Sequence, residues 1–167
     1  MSRLIFCIVL TAVLCACTPT LNWREVMLDR LTVLLPCKPD RAQRTVRIGQ
    51  DDVAMQMAGC EVGEVLYAVS HIQVKSVAGV PDAVQKWQAV ALSNLRATSP
   101  QRQPWLVPKG ANTAVRLLAT GQSTHGGAVQ AQLAWFSAGL DVYHIAVYAP
   151  HLAPEHSESI LSDLRIQ

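Results

Sequence analysis

The sequence predicts an α+β domain built on a mostly antiparallel sheet, with a long central helix and a shorter C-terminal helix packed on one face. Two observations predict this class. Segments that alternate apolar and polar residues follow one another with short turn sequences between them, and helical spacing of apolar residues occurs once mid-chain and once near the C-terminus. Consecutive strands joined by short turns pair antiparallel, and two helices are enough to cover one face of such a sheet.

The first two predicted strands form a hairpin. Residues 23–28 and 31–35 are rich in apolar and β-branched side chains and flank Asp29-Arg30, a tight turn. Pro36 ends the second strand, and residues 36–44, with two prolines, are predicted to be a loop.

Three strands are predicted before the central helix. Residues 45–48 alternate and end at a turn, and Val53, Met55 and Met57 then mark one side of a half-buried strand. The Met pair is interpreted as core filling. Residues 65–74 form the longest predicted strand.

The central helix is predicted over residues 82–97, where four apolar residues recur at helical spacing and should pack on the sheet. They are Val84, Trp87, Ala91 and Leu95. Trp87 is interpreted as a core anchor, and stacking on a bound ligand is the alternative.

The second half of the chain begins with a polar connection, residues 101–112. Strands are predicted at 113–120, 128–137 and 142–149, separated by turn-like sequences. A second helix is predicted over residues 154–164, since Pro is favoured in the first turn of a helix.

The N-terminus has the pattern of an export signal. Arg3 precedes an apolar run, residues 4–14, which is shorter than the roughly 20 residues of a membrane-spanning helix. The run ends at Leu14-Cys15-Ala16-Cys17, and residues 1–17 resemble the signal and lipobox of bacterial lipoproteins. An ordinary cleaved signal on a soluble periplasmic protein is the alternative.

The lipoprotein resemblance implies an anchor. Cys17 would receive a diacylglyceryl group, the chain would be cut before it, and its new amino group would be acylated. Several acyl chains hold a protein to a bilayer far more firmly than one. Thr18, in place of Asp, implies export to the periplasmic face of the outer membrane. The predicted organisation is a signal at 1–16, a lipidated N-terminus and tether at 17–22, and one domain at 23–167.

The charge of the chain argues against a nucleic-acid partner. The formal net charge is +2, of which Arg3 leaves with the signal, and nucleic-acid binding needs a clustered basic face. Arg41, Arg44 and Arg47 recur every third residue and are interpreted as a solvated rim, with contact to anionic lipid as the alternative.

Two cysteines remain in the predicted domain, Cys37 and Cys60. In an oxidising compartment they form a natural disulfide pair, worth roughly 3 kcal/mol. A redox dithiol and a metal site are the alternatives, but no Cys-x-x-Cys motif and no further ligands at suitable spacing accompany them.

The order of elements carries a second resemblance. A Trp at the start, an apolar strand leading into Leu35-Pro36-Cys37-Lys38-Pro39, a central helix and a C-terminal helix together resemble the PsbP/Mog1-like α+β family. The chain also resembles uncharacterised proteobacterial lipoproteins. The family resemblance implies a non-catalytic module that binds or assists larger assemblies, although a Cys37–Cys60 pair is not general in that family.

The sequence shows little that points to catalysis. Ser70-His71 and Ser123-Thr124-His125 place hydroxyls beside imidazoles without a Gly-x-Ser-x-Gly elbow. The glycine-rich turn at 121–127 lacks the Lys-Ser/Thr ending of a phosphate loop. We therefore predict no enzyme activity, no cofactor and no metal.

The histidines near the C-terminus provide one metal alternative. His144, His151 and His156 with Glu155 or Glu158 could bind a transition metal in principle. Surface histidines around a proline loop are the favoured interpretation.

The candidate interaction surface is Trp105, Leu106 and Val107, within the connection at 104–108. Exposed loop aromatics are common at interface hot spots; alternatively, Trp105 folds back to cap the sheet edge. The predicted function is a binding or assembly module with an envelope protein as partner. The second hypothesis is a carrier or sensor of a small apolar ligand between the sheet and helix 82–97, for which a cavity beside Trp87 would be evidence.

Overall fold

The computed structural model describes residues 21–123 and 126–167, which form two antiparallel sheets and two α-helices. The strands are β1 (Arg24–Leu28), β2 (Leu31–Leu35), β3 (Asp40–Ile48), β4 (Asp51–Val62), β5 (Val65–Gln73), β6 (Thr98–Arg102), β7 (Asn112–Gln122), β8 (Ala128–Ala138), β9 (Asp141–Ala149) and β10 (Arg165–Ile166). The helices are α1 (Val80–Asn94) and α2 (Pro154–Ser162). The class is α+β, as predicted.

The strand orders define a small and a large sheet. The small sheet runs β1-β2-β10 and the large one β3-β4-β5-β9-β8-β7-β6, with every pairing antiparallel. The predicted hairpin is confirmed, because Leu28 pairs with Leu31 and Asp29 adopts a positive φ of 53° in the turn. The strands predicted at 113–120, 128–137 and 142–149 are confirmed within two residues at each end.

The predicted loop at 36–44 is too long, since β3 already begins at Asp40 and pairs with β4 from Gly59 onward. The side chains of the first half of β3 are exposed on both sides. Main-chain pairing with β4 therefore forms a strand here, although the sequence does not alternate apolar and polar residues over this stretch.

The prediction that both helices cover one face is not confirmed. Neighbouring residues of β8 point to opposite faces of the large sheet. Leu133 and Trp135 share a core cluster with the buried side of α1, whereas Phe136 belongs to the cluster that contains α2 and the small sheet. The two helices therefore lie on opposite faces of the large sheet. Helix α2 stays beside the small sheet because the chain continues from it into β10, which pairs with β2 at Thr32.

The helix boundaries also differ from the predicted ones. Helix α1 begins at Val80 with Pro81 in its first turn and ends three residues before the predicted residue 97. The next strand is β6, a fully exposed edge strand that contains Pro100; no strand was predicted there, and only its last two residues fall within the predicted connection at 101–112. Within the described residues, no helix combines the length and the apolar character needed to cross a membrane.

Candidate functional site

The predicted interaction residues lie in the connection between β6 and β7. Trp105 is half-buried: its indole meets the Phe136 ring edge-on at a centroid distance of 5.7 Å, and its Nε1–H donates to the Leu161 carbonyl at 3.5 Å. Leu106 is 94% exposed and Val107 42% exposed. The structure therefore folds Trp105 back onto β8 and α2 and leaves its two neighbours in solvent.

A groove of about 410 Å³ lies between this connection and α2. Its lining is mainly apolar and includes one ion pair. The residues are Pro104, Trp105, Leu106, Arg116, Glu158, Leu161 and Ser162.

The polar part of the groove centres on Arg116 of β7. Its Nη2 donates to Glu158 Oε1 at 2.5 Å and to Gln132 Oε1 at 3.1 Å, and Gln132 in turn donates to the Leu117 carbonyl at 2.8 Å. The buried Nε of Arg116 has no hydrogen-bond partner among the described residues. An apolar groove with one oriented charge pair can bind an apolar side chain together with a neighbouring polar group.

The predicted disulfide is confirmed. Cys37 and Cys60 are bonded, with their Cα atoms 6.0 Å apart. The bond joins the segment after β2 to β4 and so ties the small sheet to the large one. Since both sulfurs are bonded to each other, the metal and free-dithiol alternatives do not describe this pair.

His144 is buried, contrary to the expectation of a surface histidine. Its ring stacks on Trp135 at 4.4 Å and meets Trp87 edge-on at 5.4 Å. Burial lowers the pKa of His144 to about 3. Neither its Nε2 nor the Trp135 Nε1 has a partner among the described residues.

The histidine cluster considered for metal binding does not assemble. His144 packs against Trp87 of α1, whereas His156 is in α2 on the other face, where its Nδ1 accepts the Ala153 N–H at 3.2 Å. The imidazole at residue 156 thus caps its own helix.

The side chains of Ser70 and His71 lie on opposite faces of the sheet, because adjacent residues of a strand point to opposite faces. His71 instead meets two aspartates that are distant in sequence: its Nε2 lies 3.0 Å from Asp141 Oδ1 and 3.8 Å from Asp29 Oδ2. The sequence reasoning missed this group. Its available signals were a histidine within an apolar strand and an aspartate at the start of another.

The arginines of β3 occupy exposed positions. Arg47 donates to Asp52 Oδ1 at 3.0 Å, and Arg41 Nη1 donates to the Met27 carbonyl at 3.0 Å. The hydrogen bond from Arg47 holds the pKa of Asp52 below its usual range. Two of the three arginines are therefore engaged within the domain.

A cavity of about 250 Å³ lies beside the first turns of α1. Its lining includes Ile72, Val74 and Ala83 together with the charged Asp51 and Lys75. Trp87 is not among its lining residues and packs against His144.

Cys17, the signal at 1–16 and residues 18–20 of the tether lie outside the described residues, as do Thr124 and His125. No protein-family model matches the chain, and no curated protein matches it.

Proposed function

We propose that the protein is a membrane-anchored lipoprotein of the cell envelope that acts as a non-catalytic binding or assembly module. Acylated Cys17 would hold it to the bilayer, at the periplasmic face of the outer membrane. The partner would be another envelope protein, docking at Trp105, Leu106, Val107 and the adjoining groove.

The exposure of Leu106 is the observation that carries this proposal. A side chain of its size loses roughly 1.5–3 kcal/mol of favourable burial when it is left in water. Here that side chain stands 94% exposed beside an apolar groove. A partner that covers Leu106 and Val107 would recover that free energy.

The neighbouring Trp105 supports the same conclusion because it is held in place before any partner binds. Its contacts with Phe136 and with the Leu161 carbonyl fix the start of the exposed segment. A surface that is already ordered loses little conformational freedom on binding.

The carrier hypothesis has weaker support. The cavity beside α1 measures about 250 Å³ and is lined partly by charged residues, whereas small-molecule sites usually have roughly 300–1,000 Å³ of mainly apolar space. We therefore prefer the protein-binding function.

The proposal is tested by photo-crosslinking in cells from position 106, with products identified by mass spectrometry. The matched control is the same crosslinker at Val77, an apolar residue that is 64% exposed in the turn before α1. We expect one dominant envelope protein from position 106 and not from position 77. Equal adducts from both positions, or none from position 106 at normal abundance, would contradict the binding surface.

The anchor is tested separately with Cys17→Ser. The intact lipoprotein should fractionate with the outer membrane and have the mass of a triacylated chain. The variant should lose that mass and its membrane association. A membrane-bound variant of unchanged mass would disprove the anchor without affecting the crosslinking result.

A further inference from the structure

Three metal-ligating side chains converge where the first hairpin meets the large sheet. Asp29 lies in the β1–β2 turn, His71 in β5 and Asp141 at the start of β9. One ligand atom from each lies within 4.8 Å of the others. Strands β5 and β9 are neighbours, with His71 paired to Tyr143 and Gln73 to Asp141.

We propose that Asp29, His71 and Asp141 bind one divalent transition-metal cation, with Zn²⁺ as the representative ion. Zn²⁺ binds imidazole nitrogen and carboxylate oxygen at about 2.0–2.2 Å, so its ligand atoms stand roughly 3–3.7 Å apart. The distances from His71 Nε2 to the two carboxylate oxygens, 3.0 and 3.8 Å, need adjustments of only tenths of an ångström.

The donor set is more specific than a group of acids. An imidazole with two carboxylates suits Zn²⁺ and similar metals, whereas Mg²⁺ and Ca²⁺ prefer oxygen ligands alone. Three protein ligands would leave one position open for water. His71 and Asp141 are buried, while the Asp29 side chain is 34% exposed and leaves a route from solvent.

The charges of the cluster also favour a cation. Two carboxylates face a single guanidinium: Arg30 Nη1 lies 3.7 Å from Asp141 Oδ2, and the Nε of Arg30 is engaged by the Gln167 carbonyl at 2.7 Å. The buried Asp141 carboxylate is thus paired with Arg30, whereas the partly exposed Asp29 carboxylate faces no guanidinium or ammonium group among the described residues, so the cluster carries more carboxylate than guanidinium charge.

Neighbouring side chains would orient the ligands. Gln73 Nε2 donates to Asp141 Oδ1 at 3.2 Å, and the Tyr143 hydroxyl lies 3.4 Å from Asp29 Oδ2. The ring of Tyr143 also stacks on His71 at 5.0 Å. Such surrounding hydrogen bonds are a regular feature of metal sites. A bound metal would join the hairpin that follows the tether to two central strands of the large sheet.

The experiment uses mature protein stripped with a chelator and dialysed, then titrated with Zn²⁺ by calorimetry and thermal unfolding. We expect one ion per chain. The Tm should rise by about 5–10 °C at a free Zn²⁺ concentration of one hundred times the Kd. Co²⁺ should give visible absorption bands from the same site.

Asp29→Asn is the decisive variant, since Asn also tolerates the positive φ of this turn and the variant should fold. It should weaken Zn²⁺ binding at least tenfold, whereas His151→Gln, which removes an exposed imidazole, should leave it unchanged. Absence of binding in the wild type would overturn the proposal. So would binding that survives Asp29→Asn and is lost in His151→Gln.

Discussion

The indole of Trp135 and the imidazole of His144 stack with their ring centroids 4.4 Å apart and their planes 12° apart. The two residues are directly opposite each other on the paired strands β8 and β9. The indole of Trp87 in α1 contacts the same imidazole edge-on. A histidine enclosed by two indoles has no water to stabilise its charged form, so burial keeps it neutral.

We expect this histidine to make stability depend on pH. Its pKa is about 3 in the folded protein, against about 6.5 when unfolded. Above pH 6.5 neither state binds the proton. Below it only the unfolded state does, so the free energy of unfolding should fall by about 1.4 kcal/mol per pH unit down to about pH 3.

Urea unfolding between pH 7.5 and 4.5 measures this dependence. His144→Gln should have a shallower slope than the wild type, and His151→Gln, at an exposed position, should match the wild type. Equal slopes for wild type and His144→Gln would show that residue 144 is not the group that titrates.

Gly121 marks a close approach of two backbones. A Cβ at this position would lie 2.1 Å from the Leu95 carbonyl oxygen, which already accepts the Gln122 N–H at 2.8 Å. Gly121→Ala should therefore destabilise the protein by about 1–3 kcal/mol through displacement of the end of α1. Gly79→Ala is the control, since its Cβ would meet only the Ser76 hydroxyl at 3.5 Å. Similar urea midpoints for the two variants would contradict the clash.

The Cys37–Cys60 bond spans 23 residues of sequence and joins the two sheets. The Cys37→Ser/Cys60→Ser variant should lose about 3 kcal/mol of unfolding free energy, because the unfolded chain regains the freedom that the bond removes. Wild type in reductant should unfold at the same urea concentration as the variant in buffer. If reductant leaves the wild-type midpoint unchanged, the bond does not contribute as described.

Substitutions at Trp105 and at Leu106 should differ in their effect on the free energy of unfolding. Trp105→Ala removes the contacts with Phe136 and α2 and should cost about 2 kcal/mol or more in unfolding free energy. Leu106→Ala should stay within about 0.5 kcal/mol of the wild type, because the side chain is 94% exposed. Denaturant unfolding of both variants checks this pair, and a large loss in Leu106→Ala would show that residue 106 packs in the core.

The predictions that the structure confirms are those that neighbouring residues decide. The hairpin around Asp29 follows from a turn between two apolar runs, and helix α1 follows from spacing that places Val84 and Trp87 on one side. The exposed strands β3 and β6 escaped prediction over residues 40–44 and 98–102, because their exposed residues carry no alternation of burial.

The candidate sites also differ in whether neighbouring residues or distant segments decide them. The Cys37–Cys60 pair was predictable because the described domain offers few alternatives for either cysteine. The group of His71 and Asp141 was not, because 70 residues separate them and only the pairing of β5 with β9 brings them together. The exposure of Leu106 beside a fixed Trp105 also depended on where α2 packs.

By itself the sequence determined the α+β class, most strand and helix positions and the cysteine pair, since local periodicity and composition carry that information. The lipobox at Cys17 remains a prediction from sequence. Only the tertiary structure decided which face each helix covers, which histidines are buried and which charged groups meet. Those outcomes depend on strand order and on packing between distant segments, and the central strand β8, buried on both faces, carries no local signal of which helix lies on which side.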